Sequence, residues 1–186
     1  MTAGGRPEVV TEEVDKLEAQ LKSSEEEPRQ MRVENIMPII GHTVTLNILV
    51  NAVGDEAEYG FTLNYDRSVL SMPVIRGGNT KATVRMCNTK IAGAINCSVG
   101  GFAINNPKSI ESGIGEIAAG DNQILITVQL TVRAKAPLGE TRLKLSNVNA
   151  ASDALQLFTP RITNGTARIF GLTEATNYLH NAPVLY

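Results

Sequence analysis

Cys87 and Cys97 are the two cysteines of the chain, and they flank a stretch, Asn88 to Asn96, that can form a hairpin connection. In a symmetric hairpin such residues lie directly opposite, within the roughly 4.4–6.8 Å Cα separation that a disulfide spans. Closing so short a loop stabilises a fold by roughly 2–3 kcal/mol in the chain-entropy model, and it requires an oxidising compartment. The alternation around the pair conflicts with this. Cys87 falls in step with Thr83 and Arg85, which read as outward, and Cys97 with Ile95 and Val99, which read as inward. A bulge would restore the register. The competing reading is two unpaired thiols, with Cys97 a small core residue.

The other reactive side chains form no catalytic set. His42 and His180 are far apart and have no neighbouring acid at a spacing that commits them to a dyad. Neither cysteine has a histidine nearby, which removes thiol-nucleophile and zinc-type readings. Ser98-Val-Gly-Gly lacks the Gly-x-Ser-x-Gly form of a nucleophile elbow. Gly77-Gly78 and Gly100-Gly101 read as turns and not as phosphate loops. No catalytic, cofactor-binding or metal residue is assigned, and the chain is expected not to be an enzyme. Asp55, Glu56 and Glu58 share one turn and Asp66 follows the next strand; such oxygens suit Ca²⁺, though their spacing follows no calcium loop. The alternative for Asp66 is a turn cap that accepts backbone N–H bonds.

Bulk properties narrow the classes further. A chain of 186 residues with 42% hydrophobic residues suffices for one well-buried domain with extensions. Its formal net charge of -2 and scattered Lys and Arg argue against a nucleic-acid partner. No apolar run approaches the ~20 residues of a membrane helix. Residues Met1 to Pro7 lack the layout of a secretory signal, and the chain is read as a processed or recombinant piece of an exported protein.

The elements that would position these residues change character along the chain. In residues 1–30, Val10, Val14, Leu17 and Leu21 recur at helical spacing, supported by Glu12–Lys16 and Glu18–Lys22 pairs, before an acidic Ser/Glu/Pro linker. This is a short helical arm. Beyond it the period becomes that of strands: Val44, Leu46, Ile48, Val50; Tyr59, Phe61, Leu63, Tyr65; and Ile124, Ile126, Val128, Leu130, Val132. Shorter strands are expected at 69–75, 81–87, 94–99, 141–148, 154–158 and 166–170, separated by Gly-, Asn- and Pro-rich turns. The expected fold is all-β, an antiparallel sandwich over residues 31–171. Residues 172–186 form an extension with a single charge, Glu174, and the apolar side chains Tyr178, Leu179, Val184, Leu185 and Tyr186. Those five residues are the candidate partner-binding set, because exposed tails seldom carry so much apolar surface. The other reading of the tail is a passive linker.

Three blocks resemble cohesin domains. His42 to Gly54 followed by Tyr59-Gly-Phe-Thr-Leu-Asn-Tyr-Asp66-Arg-Ser-Val-Leu70 is similar to that family's first strand and its G-F-x-L-x-Y-D-x-x-x-L block. Ile124–Val132 with Ala134 to Thr141 resembles its long strand and the Gly-Thr turn after it, and Asn164 to Ile169 its closing strand. The likeness spans about residues 33–171. It implies a jelly-roll-like β-sandwich exported by a bacterium, secreted or held at the cell surface, that binds other proteins such as dockerins. The sequence alone therefore favours a non-catalytic assembly module whose partner is another protein or an identical subunit. Carbohydrate binding is the alternative. It is weakened because the chain has no Trp to grip a flat polysaccharide and Tyr59, Phe61 and Tyr65 point inward together.

Overall fold

A computed structural model describes residues 29–80, 82, 84–100, 117–154 and 156–174. The arm at 1–28 and the tail beyond 174, with Tyr178, Leu179, Val184, Leu185 and Tyr186, lie outside the described residues. Among the described residues there are eleven strands: β1 (Gln30–Val33), β2 (Thr43–Ala52), β3 (Glu56–Tyr65), β4 (Leu70–Gly77), β5 (Val84–Asn88), β6 (Ala94–Gly100), β7 (Gly120–Val132), β8 (Gly139–Ser152), β9 (Leu157–Phe158), β10 (Arg161–Thr163) and β11 (Gly165–Ile169). The sheet starts at Gln30, so Arg29 and Gln30 belong to the fold and not to the linker in which the sequence placed them.

Two sheets face each other, one ordered β10-β1-β2-β7-β4 and the other β11-β8-β3-β6-β5, with β9 added to β8. This is the expected sandwich. Parallel pairing also occurs: β1 runs parallel to β10, and residues 36–39 make parallel bridges to Ala167 and Phe170. The side chains that alternate along β2, β3 and β7 meet in one core that includes Leu46, Ile48, Tyr59, Phe61, Leu63, Ile126, Val128 and Leu130. Among the described residues no helix is long and apolar enough to cross a membrane.

Bulges alter the pattern where strands slip. Ile48 faces Ile126 while Leu49 faces Ile124, which leaves Leu125 as an extra residue. Leu125 is consequently fully buried and Ile124 only partly so, the reverse of strict alternation. A second slip, at Met72 and Pro73, breaks the register of β4 on β7.

The two lateral margins of the sandwich differ. On one side the chain between β1 and β2 crosses over β11: Ile36 and Ile40 donate to the carbonyls of Thr166 and Phe170, and Arg168 and Phe170 donate to those of Ile36 and Pro38. That edge of β11 is closed. On the other side β4 and β5 are joined by a short crossing at Gly78, where a Cβ would run into the Ile124 carbonyl.

Candidate binding surfaces

Charged groups concentrate at one place in the described structure, and its role is structural. Arg29 lies just before β1, and its Nη2 donates to both carboxylate oxygens of Asp55 at 2.6 and 2.7 Å, while its Nε donates to Glu56 at 3.1 Å. Glu56 is fully buried and also accepts the N–H groups of Val53 (2.9 Å) and Gly54 (2.8 Å). The guanidinium carbon sits 4.3 Å from the centre of the Phe158 ring, which meets Tyr59 edge-on. Partial burial opposes the charge on Arg29, but hydrogen bonds and charge from Asp55, with help from Glu56, outweigh it and hold its pKa above the ordinary value. The cluster ties the start of β1 to the β2–β3 turn and to β9. Nothing in the local sequence marks Arg29 for this task.

Tyr59 is the exception inside that cluster. Its ring is fully buried and its hydroxyl has no hydrogen-bond partner among the described residues. Burial first, and then the Glu56 carboxylate, push its pKa far up. The native state therefore keeps the phenol neutral, whereas the unfolded chain releases the proton near pH 10. Stability that is complete below pH ~10 is expected to fall as pH rises above it, and Tyr59→Phe to remove that fall. At pH 7 the same substitution is expected to cost nothing and to gain up to about 1 kcal/mol, because it deletes an unsatisfied hydroxyl. Denaturant titrations at pH 7 and at pH 10–11 check both; a loss above ~2 kcal/mol at pH 7 would show that the hydroxyl is bonded.

Among the described residues the other carboxylates do not gather into a group that could hold a metal ion. Asp55 and Asp66 stand at opposite ends of β3, on the order of 30 Å apart for a strand of 10 residues. Asp66 accepts the backbone N–H (2.8 Å) and hydroxyl (2.6 Å) of Ser68, which lower its pKa and make it the turn cap. Glu58 accepts the Ser98 hydroxyl on the outer face.

Cys87 and Cys97 are joined in the structure, with their Cα atoms 4.2 Å apart. The expected bulge is absent: β5 and β6 pair in continuous register from Val84↔Gly100 to Asn88↔Asn96, with Cys87 directly opposite Cys97. The conflict came from reading Arg85 as outward. It stands opposite the inward Val99, yet β5 is the last strand of its sheet, so the side chain escapes across the open margin to the Thr80 carbonyl (3.4 Å) and the space beside Gly77.

Both broad outer faces are polar. On the six-stranded sheet Thr62 donates to Asn96 (2.7 Å) and Asn64 to Ser146 (2.7 Å). On the five-stranded sheet Thr127 donates to Asn47 (2.9 Å) and Arg76 to Gln129 (3.3 Å). No exposed aromatic platform interrupts them among the described residues: Tyr59, Phe61 and Tyr65 are buried, and Phe158 and Phe170 are partly covered. Exposed apolar side chains gather instead at the β4/β5 margin. Of the nine large hydrophobics exposed among the described residues, four, Met72, Val74, Met86 and Ile91, lie on β4 or the β5–β6 hairpin.

The architecture is that of a cohesin-type β-sandwich. Solved structures with the same fold include a cohesin from scaffoldin B of Acetivibrio cellulolyticus in complex with a dockerin variant (TM-score 0.65, 13% identity, covering 77% of this chain and 99% of that one). A type I cohesin–dockerin complex from Clostridium thermocellum (TM-score 0.63, 15% identity, 77% and 99%) is also similar. So is a non-cellulosomal cohesin from the archaeon Archaeoglobus fulgidus (TM-score 0.64, 14% identity, 83% and 99%). The chain matches no protein-family model and no curated protein.

Proposed function

We propose that this domain is a non-catalytic protein-binding module that works outside the cell, and that its C-terminal extension docks to an identical subunit. The observation that carries the first part is the fold, which is the one seen in cohesins solved in complex with dockerins. A dockerin-type protein is accordingly the first external partner to test. The clustered charges of the described residues support the same reading, because Arg29, Asp55, Glu56 and Asp66 are spent on fixing turns and strands. The Cys87–Cys97 bond supports an oxidising, extracellular location.

Energetics favour a docked tail over a free one. A free tail would place several hundred Å² of Tyr178, Leu179, Val184, Leu185 and Tyr186 in water, taking about 150–250 Å² for each aromatic. Burying that surface at ~25 cal/mol per Å² gains several kcal/mol, and ordering the segment costs more than ~1 kcal/mol per residue, so apolar contact barely breaks even. Backbone pairing with a sheet edge supplies the surplus.

Assays on glycoside, ester and peptide substrates are expected to show no turnover, and insoluble polysaccharide to show no retention. Retention on cellulose or chitin that soluble oligosaccharide competes away would put carbohydrate binding first instead.

A further inference from the structure

The tail reading leaves the receiving edge unnamed, and we infer that it is the outer edge of β5 in a second copy of the chain. This rests on the tail docking proposed above. The other edges are unsuited. The outer edge of β11 is already bonded to residues 36–40. The register of β4 breaks at Met72 and Pro73, and Pro73 has no N–H to offer. β9 and β10 are only 2 and 3 residues long. By contrast β5 is a regular strand of 5 residues without Gly or Pro, and no described strand pairs with its outer side.

The directions of its backbone groups follow from the register. Cys87 and Cys97 are directly opposed with Cα atoms 4.2 Å apart, which is the close spacing of a non-hydrogen-bonded antiparallel pair. The N–H and C=O of Cys87, and by alternation those of Arg85, point away from β6 toward the free edge. The disulfide holds this edge against β6, so an added strand meets a ladder already in place. Met86, 61% exposed on the outer face, offers an apolar neighbour to one side chain of that strand.

Reach decides which copy supplies Tyr178 and Leu179. In the sheet order β11-β8-β3-β6-β5 the tail departs near β11, four strand spacings or roughly 19 Å from β5. Tyr178 follows Glu174 by so few residues that it reaches at most about 14 Å. Tyr178 and Leu179 therefore cannot pair with β5 of their own domain but can pair with β5 of another, whereas Val184 to Tyr186, up to about 40 Å along the chain from Glu174, reach either; two copies exchanging tails through Tyr178 and Leu179 close a dimer.

The test is amide exchange followed by NMR on the full chain and on a chain ending at Gly171, over a range of concentration, beside the mass of each. The Arg85 and Cys87 amides are expected to exchange slowly in the full chain and fast in the shorter one, with Met86 and Asn88 slow in both. The protection should grow with concentration along with a dimeric mass. Arg85→Pro, which deletes an outward donor that an edge strand does not need to fold, is expected to weaken the dimer about tenfold or more. A tail-dependent dimer in which Arg85 and Cys87 exchange as fast as in the shorter chain overturns the β5 assignment and leaves the tail reading standing. Protection in a monomer at every concentration overturns the exchange between copies. Equal masses and equal exchange for both chains overturn inference and tail reading together.

Discussion

Leu130→Ala and Ile126→Ala are each expected to lower the unfolding free energy by about 2–5 kcal/mol, while Gln129→Ala and Thr127→Ala change it by less than about 0.5 kcal/mol. Leu130 and Ile126 are fully buried between the two sheets, and β7 is flanked on both edges by β2 and β4, so the cavity left by a deleted side chain cannot close by moving a free strand. Leu125→Ala belongs with the costly group despite its odd position in the alternation, because the bulge against Leu49 turns it into the core. Val128→Ala should cost less than the two larger residues because fewer methyl groups are lost. Urea unfolding of the set measures this. Equal costs on the two faces would mean that β7 is covered on both sides and that the two-layer sandwich is wrong.

Arg29→Ala is expected to cost about 3 kcal/mol, a large effect for a residue at the edge of the domain. Glu56 is buried without exposure, and the substitution removes the one cation bonded to it among the described residues, leaving a buried carboxyl group without that partner. It also releases Asp55, whose side chain is 43% exposed and regains water, so most of the cost lies with Glu56. Arg29→Lys should recover only part of the loss, since an ammonium cannot bond both carboxylates in the planar fork and stacks poorly on Phe158. Combining Arg29→Ala with Glu56→Gln should cost less than the sum of the two changes, because the second removes the stranded charge. Strict additivity in that cycle would show that the two side chains do not interact.

These two cases mark what a single sequence reveals. Tyr59, Phe61, Leu63 and Tyr65 announce their buried face because alternation is a local consequence of the pleat. The inward turn of Leu125 depends on how β2 pairs with β7, which no window around Leu125 records. β1 and β10 are short and hold each other by a parallel pairing across more than half the chain, so neither carries a pattern of its own. Arg29 sits next to an acidic linker and acts on Asp55 and Glu56 through space.

The same division applies to the binding surface. The cysteine pair was readable from its spacing, but its register was misjudged because an edge strand lets an inward charge such as Arg85 escape sideways. Met72 and Met86, now at the exposed β4/β5 margin, carry no sequence signal, since methionine reads as core filler until a sheet is seen to end there. Only composition marks the tail, through its five apolar side chains and single charge.

The extension beyond the domain is proposed to bind protein, and specifically another copy. Sedimentation equilibrium of the full chain beside a chain ending at Gly171 tests it most directly. A concentration-dependent dimer of the full chain and a monomer of the shorter one are expected. A full chain that stays monomeric at millimolar concentration, with tail amides exchanging as fast as those of a free peptide, would contradict it.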